Sequence, residues 1–318
     1  MAGRPNWGVV GILVGRMLLA LVVAVGGYLI VYRPFQLRWG ATREEVGRHM
    51  PGDELQTNPI FNATRAVTID AAPQTVWPWL MQIGYRRAGW YGYDWVDNDG
   101  IRSARRILPE WQTLKAGDVV PIWRGMNFPV RAIETNRYLV FTSADDANTM
   151  AVELLPAGPG RTRLVWRVRL AAYNWKSPFI VLQLFTDATD FIAVRQNLLG
   201  IKARAEGKEP ESAIRSHGAL GLWLLSFVLF LAAEIGLVVH GDAWGALLAA
   251  MATGLITVFL VLGNLPIWVD LLGMLVGVLT LRLAFYRRNH KPERVSRDRT
   301  SAIAELRHSE ARQNERTD

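Results

Sequence analysis

The chain contains no cysteine. Disulfides, thiolate nucleophiles and cysteine-held metals are thereby excluded, and the redox compartment stays open. Histidine is sparse: His49, His217, His240, His290 and His308 are scattered, none at metal-pair spacing, and HExxH is absent. The sequence therefore predicts no metal site and no cofactor. Also missing are the GxSxG elbow, the phosphate loop and the dinucleotide fingerprint, so hydrolase, nucleotide and dehydrogenase chemistry lack their working parts. No internal repeat is visible.

Apolar sequence is what the chain has in excess. Half of its 318 residues are hydrophobic, and they are clumped. The runs 7–32, 220–239, 244–262 and 267–286 are each read as long enough to cross a hydrocarbon core of about 30 Å, which takes about 20 helical residues. Arg16 lies in the first run, where it can snorkel, and no small-residue cleavage site follows Tyr32. That run is read as an anchor and not as a cleaved signal. Gly263, Asn264, Leu265 and Pro266 form a turn between the last two runs. Glu234 and Asp270 are charges inside apolar runs; they are functional candidates, or partners of Arg16 or Arg282 that hold a bundle together.

The net charge is +8, with the basic residues concentrated beside the apolar runs and in the tail. That placement favours a membrane surface over nucleic acid. The tail bases Arg287, Arg288, Lys291 and Arg294 predict a cytoplasmic C-terminus, yet the flanks of the central segment also carry Arg33, Arg38, Lys202 and Lys208. The side of the membrane on which that segment lies is left open. The expected organisation is an anchor over 1–32, one soluble domain over 33–216, about three further spans over 217–286, and a basic, disordered tail over 287–318.

Within 33–216, residues 65–70 alternate as a strand does, and Pro73 can start a helix on which Val76, Leu80 and Ile83 recur before Gly84. Pro78 removes a hydrogen bond from that helix and predicts a local kink. Short runs of period two follow at 119–123, 130–134, 138–143, 150–155 and 162–170. In the last, Leu164, Trp166 and Val168 share one face, and Arg161, Arg163, Arg167 and Arg169 share the other. An antiparallel sheet with one covered and one solvated face is expected. Ser177 and Pro178 open a long helix to Glu206, with Leu182, Phe185, Ile192 and Leu199 along one side as the cover.

The fold class expected is therefore α+β: a strand, a short helix, an antiparallel sheet and a long C-terminal helix, the helix-grip order, with about four transmembrane helices added. The strings IDAAP at 69–73, VWPWL at 76–80, QIG at 82–84, RAGWY at 87–91, YDW at 93–95, ILPE at 107–110, GD at 117–118, RTRL at 161–164 and GIKARAE at 200–206 also resemble a family. It is the SRPBCC or START-like superfamily, in a membrane-anchored bacterial branch described as polyketide cyclase or lipid-transport related. The resemblance covers residues 40–208. It implies a cavity between sheet and long helix for a hydrophobic small molecule, a lipid or a polyketide-like compound. It implies no reaction, because enzymes, carriers and sensors share the scaffold. Gly92 departs from the branch pattern, which has a serine there.

Residues 85–95 concentrate aromatic groups. Trp90, Tyr91, Tyr93 and Trp95, together with Trp166 from the last strand, are the candidate ligand-binding residues, whose faces grip an apolar ligand. The alternative is that these rings fill core or rest on a lipid interface. Asp94, Glu110 and Tyr93 are the candidate proton-transfer groups, against the plainer reading that Asp94 caps a turn and Glu110 accepts backbone hydrogen bonds. The leading expectation is a membrane-tethered module that binds, transfers or presents a hydrophobic molecule. The alternatives are a cyclase- or dehydratase-like enzyme and a protein-interaction or regulatory module.

Overall fold

Period-two alternation becomes six strands: β1 (Phe61–Ile69), β2 (Val119–Trp123), β3 (Met126–Glu134), β4 (Tyr138–Thr142), β5 (Asn148–Pro156) and β6 (Thr162–Leu170). In this computed structural model, residues 28–171 and 180–209 are described, together with isolated helical positions at Gly11, Gly15, Leu18, Val22, Gly26, Gly218, Gly221, Leu225, Val228 and Leu275. The strands form one antiparallel sheet in the order β1-β6-β5-β4-β3-β2. Between β1 and β2 lies a helix, and after β6 comes a long one, which is the helix-grip arrangement. The helices are α1 (Arg33–Arg38), α2 (Arg43–Gly47), α3 (Pro73–Met81), α4 (Asp94–Asp97) and α5 (Ile180–Ala205).

Among the described residues no helix is long and apolar enough to cross a membrane. The four expected spans, and with them Arg16, Glu234, Asp270 and Arg282, lie almost wholly outside those residues, as does the tail. By contacts the chain divides into a unit Leu21–Gly221, which holds the sheet, and a unit made of Met1–Ala20 and Leu222–Asp318.

Helix α3 starts at Pro73, whose missing N–H costs nothing in a first turn, and it runs as one element through Pro78. It buries Val76, Trp77 and Leu80 against the sheet-side core. Helix α5 presents Phe191, Val194, Leu198, Ile201 and Ala205, spaced three and four apart, as its buried stripe. That stripe is rotated by about one residue from the expected one, because Leu199 is only partly buried. Ile192 is buried, the side chains of Leu182 and Phe185 lie outside the described residues, and so do Ser177 and Pro178.

The register fixes what the concave face carries. Phe61, Arg65, Val67 and Ile69 of β1 stand opposite Leu170, Trp166, Leu164 and Thr162 of β6, and Trp166 stands opposite Val152 of β5. Phe61, Ile69, Leu80, Ile83, Leu139, Phe141 and Leu164 are fully buried on this side. Burying a side chain of this size is worth about 1.5–3 kcal/mol, so the concave core dominates the stability of the unit.

The convex face is not the solvated surface that the arginine alternation suggested. Residues 39–57 lie across it, and a second core of Met50, Ala66, Val140, Ala151 and Val165 is buried beneath them. Arg167 is 2% exposed; it donates to Thr64, to the carbonyls of Glu45, Val46 and Arg48, and to Asp53 at 2.5 Å. Arg163 grips Glu45 at 2.7 Å and the Gly40 carbonyl, and Arg169 donates to the carbonyls of Asp53 and Gln56. Only Arg161, paired with Asp70, is exposed. The same Glu45 closes a capping box with Thr42 at the start of α2. Burial opposes its charge, but the bonds from Arg163 and Thr42 outweigh that and hold its carboxyl below the usual range.

Candidate functional site

The segment from Gly84 to Ala104 is folded against both α3 and α5. A short bridge between Gly84 and Gly89 turns the chain back, and Tyr91 follows with φ +63°, a left-handed conformation rare for an aromatic residue. Three contacts hold it there. The Tyr91 N–H donates to Ser103 Oγ at 3.0 Å, its hydroxyl donates to the Trp79 carbonyl at 3.0 Å, and the Arg204 guanidinium sits 4.4 Å from its ring. Burial pushes the Tyr91 phenol well above its ordinary value, so it stays a neutral hydrogen-bond donor. Helix α5 reaches this segment through Gly200, where a Cβ would lie 2.0 Å from the Tyr91 carbonyl oxygen. Gly92 is small for a similar reason: a Cβ there would meet the Asn197 amide at 2.5 Å and Asp97 Oδ2 at 2.9 Å. A side chain at 92 would require the ends of Asn197 and Asp97 to shift.

Four of the candidate aromatics are buried and one is not. Trp90, Tyr91, Tyr93 and Trp166 are at most 8% exposed, whereas Trp95 is 75% exposed and stands apart from them. Trp79 meets Tyr91 edge-on at 5.9 Å, and Trp90 lies tilted against Trp166 at 6.4 Å. The Trp90 indole donates to the Ile122 carbonyl at 3.0 Å, and the backbone carbonyl of Trp90 accepts from the Asn197 amide at 3.1 Å. The Trp166 indole is 1% exposed, yet its Nε1–H has no partner among the described residues.

Beside Trp166, on the same face of the next strand, is Arg65, a fully buried residue that the alternation of β1 places inward with Val67 and Ile69. Its Nε donates to the Gln36 carbonyl at 2.7 Å, its Nη1 pairs with Asp190 of α5 at 2.5 Å, and the Phe191 ring lies 5.4 Å from its guanidinium carbon. Its Nη2, like the Trp166 N–H, has no partner among the described residues. Leaving a buried donor unsatisfied costs roughly 1–3 kcal/mol, so two at facing positions in an apolar core call for a reason. Arg48, Arg87 and Arg169 also have nitrogens with no partner among the described residues; the Arg87 guanidinium lies 4.7 Å from the Trp111 ring, much as that of Arg65 lies over Phe191.

Of the candidate proton-transfer groups, Tyr93 and Asp94 adjoin at the start of α4 and Glu110 lies on a separate turn. Asp94 accepts from the Ser103 hydroxyl at 2.5 Å and the Ser103 N–H at 3.1 Å, and its backbone carbonyl accepts from Asn98 and Gly100. Glu110 is exposed on the turn Pro109–Trp111. Tyr93 is buried, and its N–H donates to Asp97 Oδ2 at 3.0 Å. Burial, and then the neighbouring Asp94 charge, push the Asp97 carboxyl up to about 7. Asp97 and Arg65 were both missed by motif reading. The signal for Arg65 was its inward phase in β1; Asp97 had none, since only folding brings Asn197 and Gly92 against it.

Among the described residues no group of His, Asp and Glu could hold a metal ion. No family model matches the sequence, and no curated protein matches it. Solved structures do. The chain is similar to the Polyketide_cyc-like protein Cgl2372 from Corynebacterium glutamicum, with 12% identity over 48% of this chain and 97% of that one, at TM-score 0.32. It is also similar to EF2215 from Enterococcus faecalis, described as a conserved protein of unknown function, with 17% identity over 50% and 84% of the two chains at TM-score 0.30. A third is SSP2350 from Staphylococcus saprophyticus, with 10% identity over 46% and 93% at TM-score 0.28. Scores and identities this low add nothing to the sheet and helix already described.

Proposed function

We propose that the concave side of the sheet holds an apolar small molecule bearing a hydrogen-bond-accepting group, a lipid or polyketide-like compound drawn from an adjacent bilayer. The observation that carries this reading is the pair of buried donors with no partner among the described residues, Trp166 Nε1 and Arg65 Nη2, at facing register positions on the concave side. An acceptor offered to those donors removes their desolvation penalty, while the surrounding rings supply dispersion and apolar area. The SRPBCC resemblance of the sequence and its long apolar runs support the same ligand class. A ligand taken up at the membrane never exposes its hydrocarbon to water.

The test is native mass spectrometry and organic extraction of the full-length chain in mild detergent, on the unaltered protein and on Trp166→Phe. That change keeps an aromatic body and removes only the donor. A stoichiometric apolar molecule in the unaltered chain, reduced about fivefold or more in Trp166→Phe, is expected, since one hydrogen bond is worth about 1 kcal/mol. An empty chain, or equal occupancy in both, contradicts the reading.

A second reading, a proton-transfer enzyme, is favoured by one observation, the Asp97 carboxyl poised near neutrality beside Asp94. Turnover of the extracted molecule that vanishes in Asp97→Asn while binding persists would establish it; unchanged composition after incubation with either chain would end it.

A further inference from the structure

Two neighbouring loops expose large apolar side chains. Trp95 and Val96 of α4 are 75% and 58% exposed, Ile101 just beyond is 49% exposed, and Trp123 and Met126 at the turn between β2 and β3 are 45% and 42% exposed. Such residues scattered singly are ordinary, but these are built into one surface. The Trp123 indole donates to the Val96 carbonyl at 3.3 Å, and Asp99 of the first loop is gripped by Arg124 of the second at 2.5 Å and by Arg86 of the 84–89 turn at 2.9 Å. Gly100 lies under the Trp95 ring, where a Cβ would be 3.8 Å away.

The exposed charges at its edge are basic, Arg86, Arg102 and Arg124. Arg86 and Arg124 share the half-buried carboxylate of Asp99, and Asp94 and Asp97 are half-buried on α4 itself. Two exposed tryptophans with aliphatic neighbours and arginines at the edge match the boundary layer of a bilayer, where indole rings sit at headgroup depth and guanidinium groups meet phosphate. A protein partner would equally take the apolar rings, but the edge arginines and the four apolar runs of the same chain select the lipid. We infer that the surface of Trp95, Val96, Ile101, Trp123 and Met126 docks on an anionic membrane, with Arg102 and Arg124 contacting the lipid phosphates. The inference stands apart from the ligand reading, since none of these residues belongs to the buried concave core.

The absence of cysteine makes the test clean. The full-length chain carrying Val96→Cys is labelled with a small fluorophore and incorporated into vesicles whose lipid tails are brominated, of phosphatidylcholine alone or mixed with phosphatidylglycerol. Arg137→Cys, on the exposed turn between β3 and β4, is the control. Bromine quenching at position 96 but not at 137, stronger with the anionic lipid, is expected. Arg102→Gln and Arg124→Gln should each lower the ratio of docked to undocked label about fivefold, since each base near an anionic surface is worth about 1 kcal/mol. Equal quenching at the two positions, none at 96, or quenching indifferent to lipid charge overturns the inference. A label at 96 shielded both from bromine and from aqueous iodide would show a protein segment or a second copy seated there, and would overturn it too.

Discussion

Trp166 and Trp90 are neighbouring indoles of like burial that differ in one respect. Trp90 has the Ile122 carbonyl within reach, and Trp166 has no acceptor among the described residues. A buried donor without a partner calls for an explanation, and the bound acceptor proposed above is the one offered for Trp166. Asp97 offers a different test at this scale. Its carboxyl is raised to about 7 in the folded chain from an ordinary value near 3.8. Between those values the folded state holds a proton that the unfolded state has released, so stability falls as pH rises from about 4 to 7 and then stays low. Asp97→Asn, which keeps an acceptor for the Tyr93 N–H, is expected to raise the melting temperature at pH 8 and to leave it nearly unchanged at pH 4. Thermal unfolding of both chains at the two pH values checks this; a gain of equal size at both would place the effect in packing instead of charge.

At the scale of elements, the alternation of β6 was legible and its meaning was only half so. The strand forms over the residues expected, and Trp166 lies on the covered side. The arginines on the other side pointed to solvent because no local signal says that residues 39–57 will fold back over them. That contact spans more than a hundred residues of chain and depends on carbonyls of the covering segment, which every sequence possesses. Arg65 was legible in principle, as a charge in inward phase, but its partner Asp190 lies 125 positions away. The buried pair of Arg167 and Asp53 should therefore hold the covering segment to the sheet. Asp53→Ala leaves Arg167 buried without its counter-charge and is expected to cost roughly 3–5 kcal/mol in denaturant unfolding. The double change Asp53→Leu with Arg167→Met should recover most of that loss. A loss below about 1 kcal/mol for Asp53→Ala would show that the carbonyls alone hold the arginine.

For the whole molecule, two faces of one unit carry different chemistry. The concave side has buried rings and two idle donors, and the tip formed by α4 and the β2–β3 turn exposes tryptophan beside arginine. The proposed ligand reading assigns the first to sheltering the molecule, and the proposed docking assigns the second to holding the unit at a bilayer. The central claim concerns the first, and photolabelling tests it most directly. The chain is produced with photo-methionine in place of methionine, irradiated in native membranes and mapped by peptide mass spectrometry. Met81 and Met150 belong to the concave core, and Met50 to the core beneath the convex cover. The account predicts an adduct of one recurring apolar mass at Met150 or Met81 and none at Met50. Identical adducts at all three, or no small-molecule adduct at the concave positions, would contradict it.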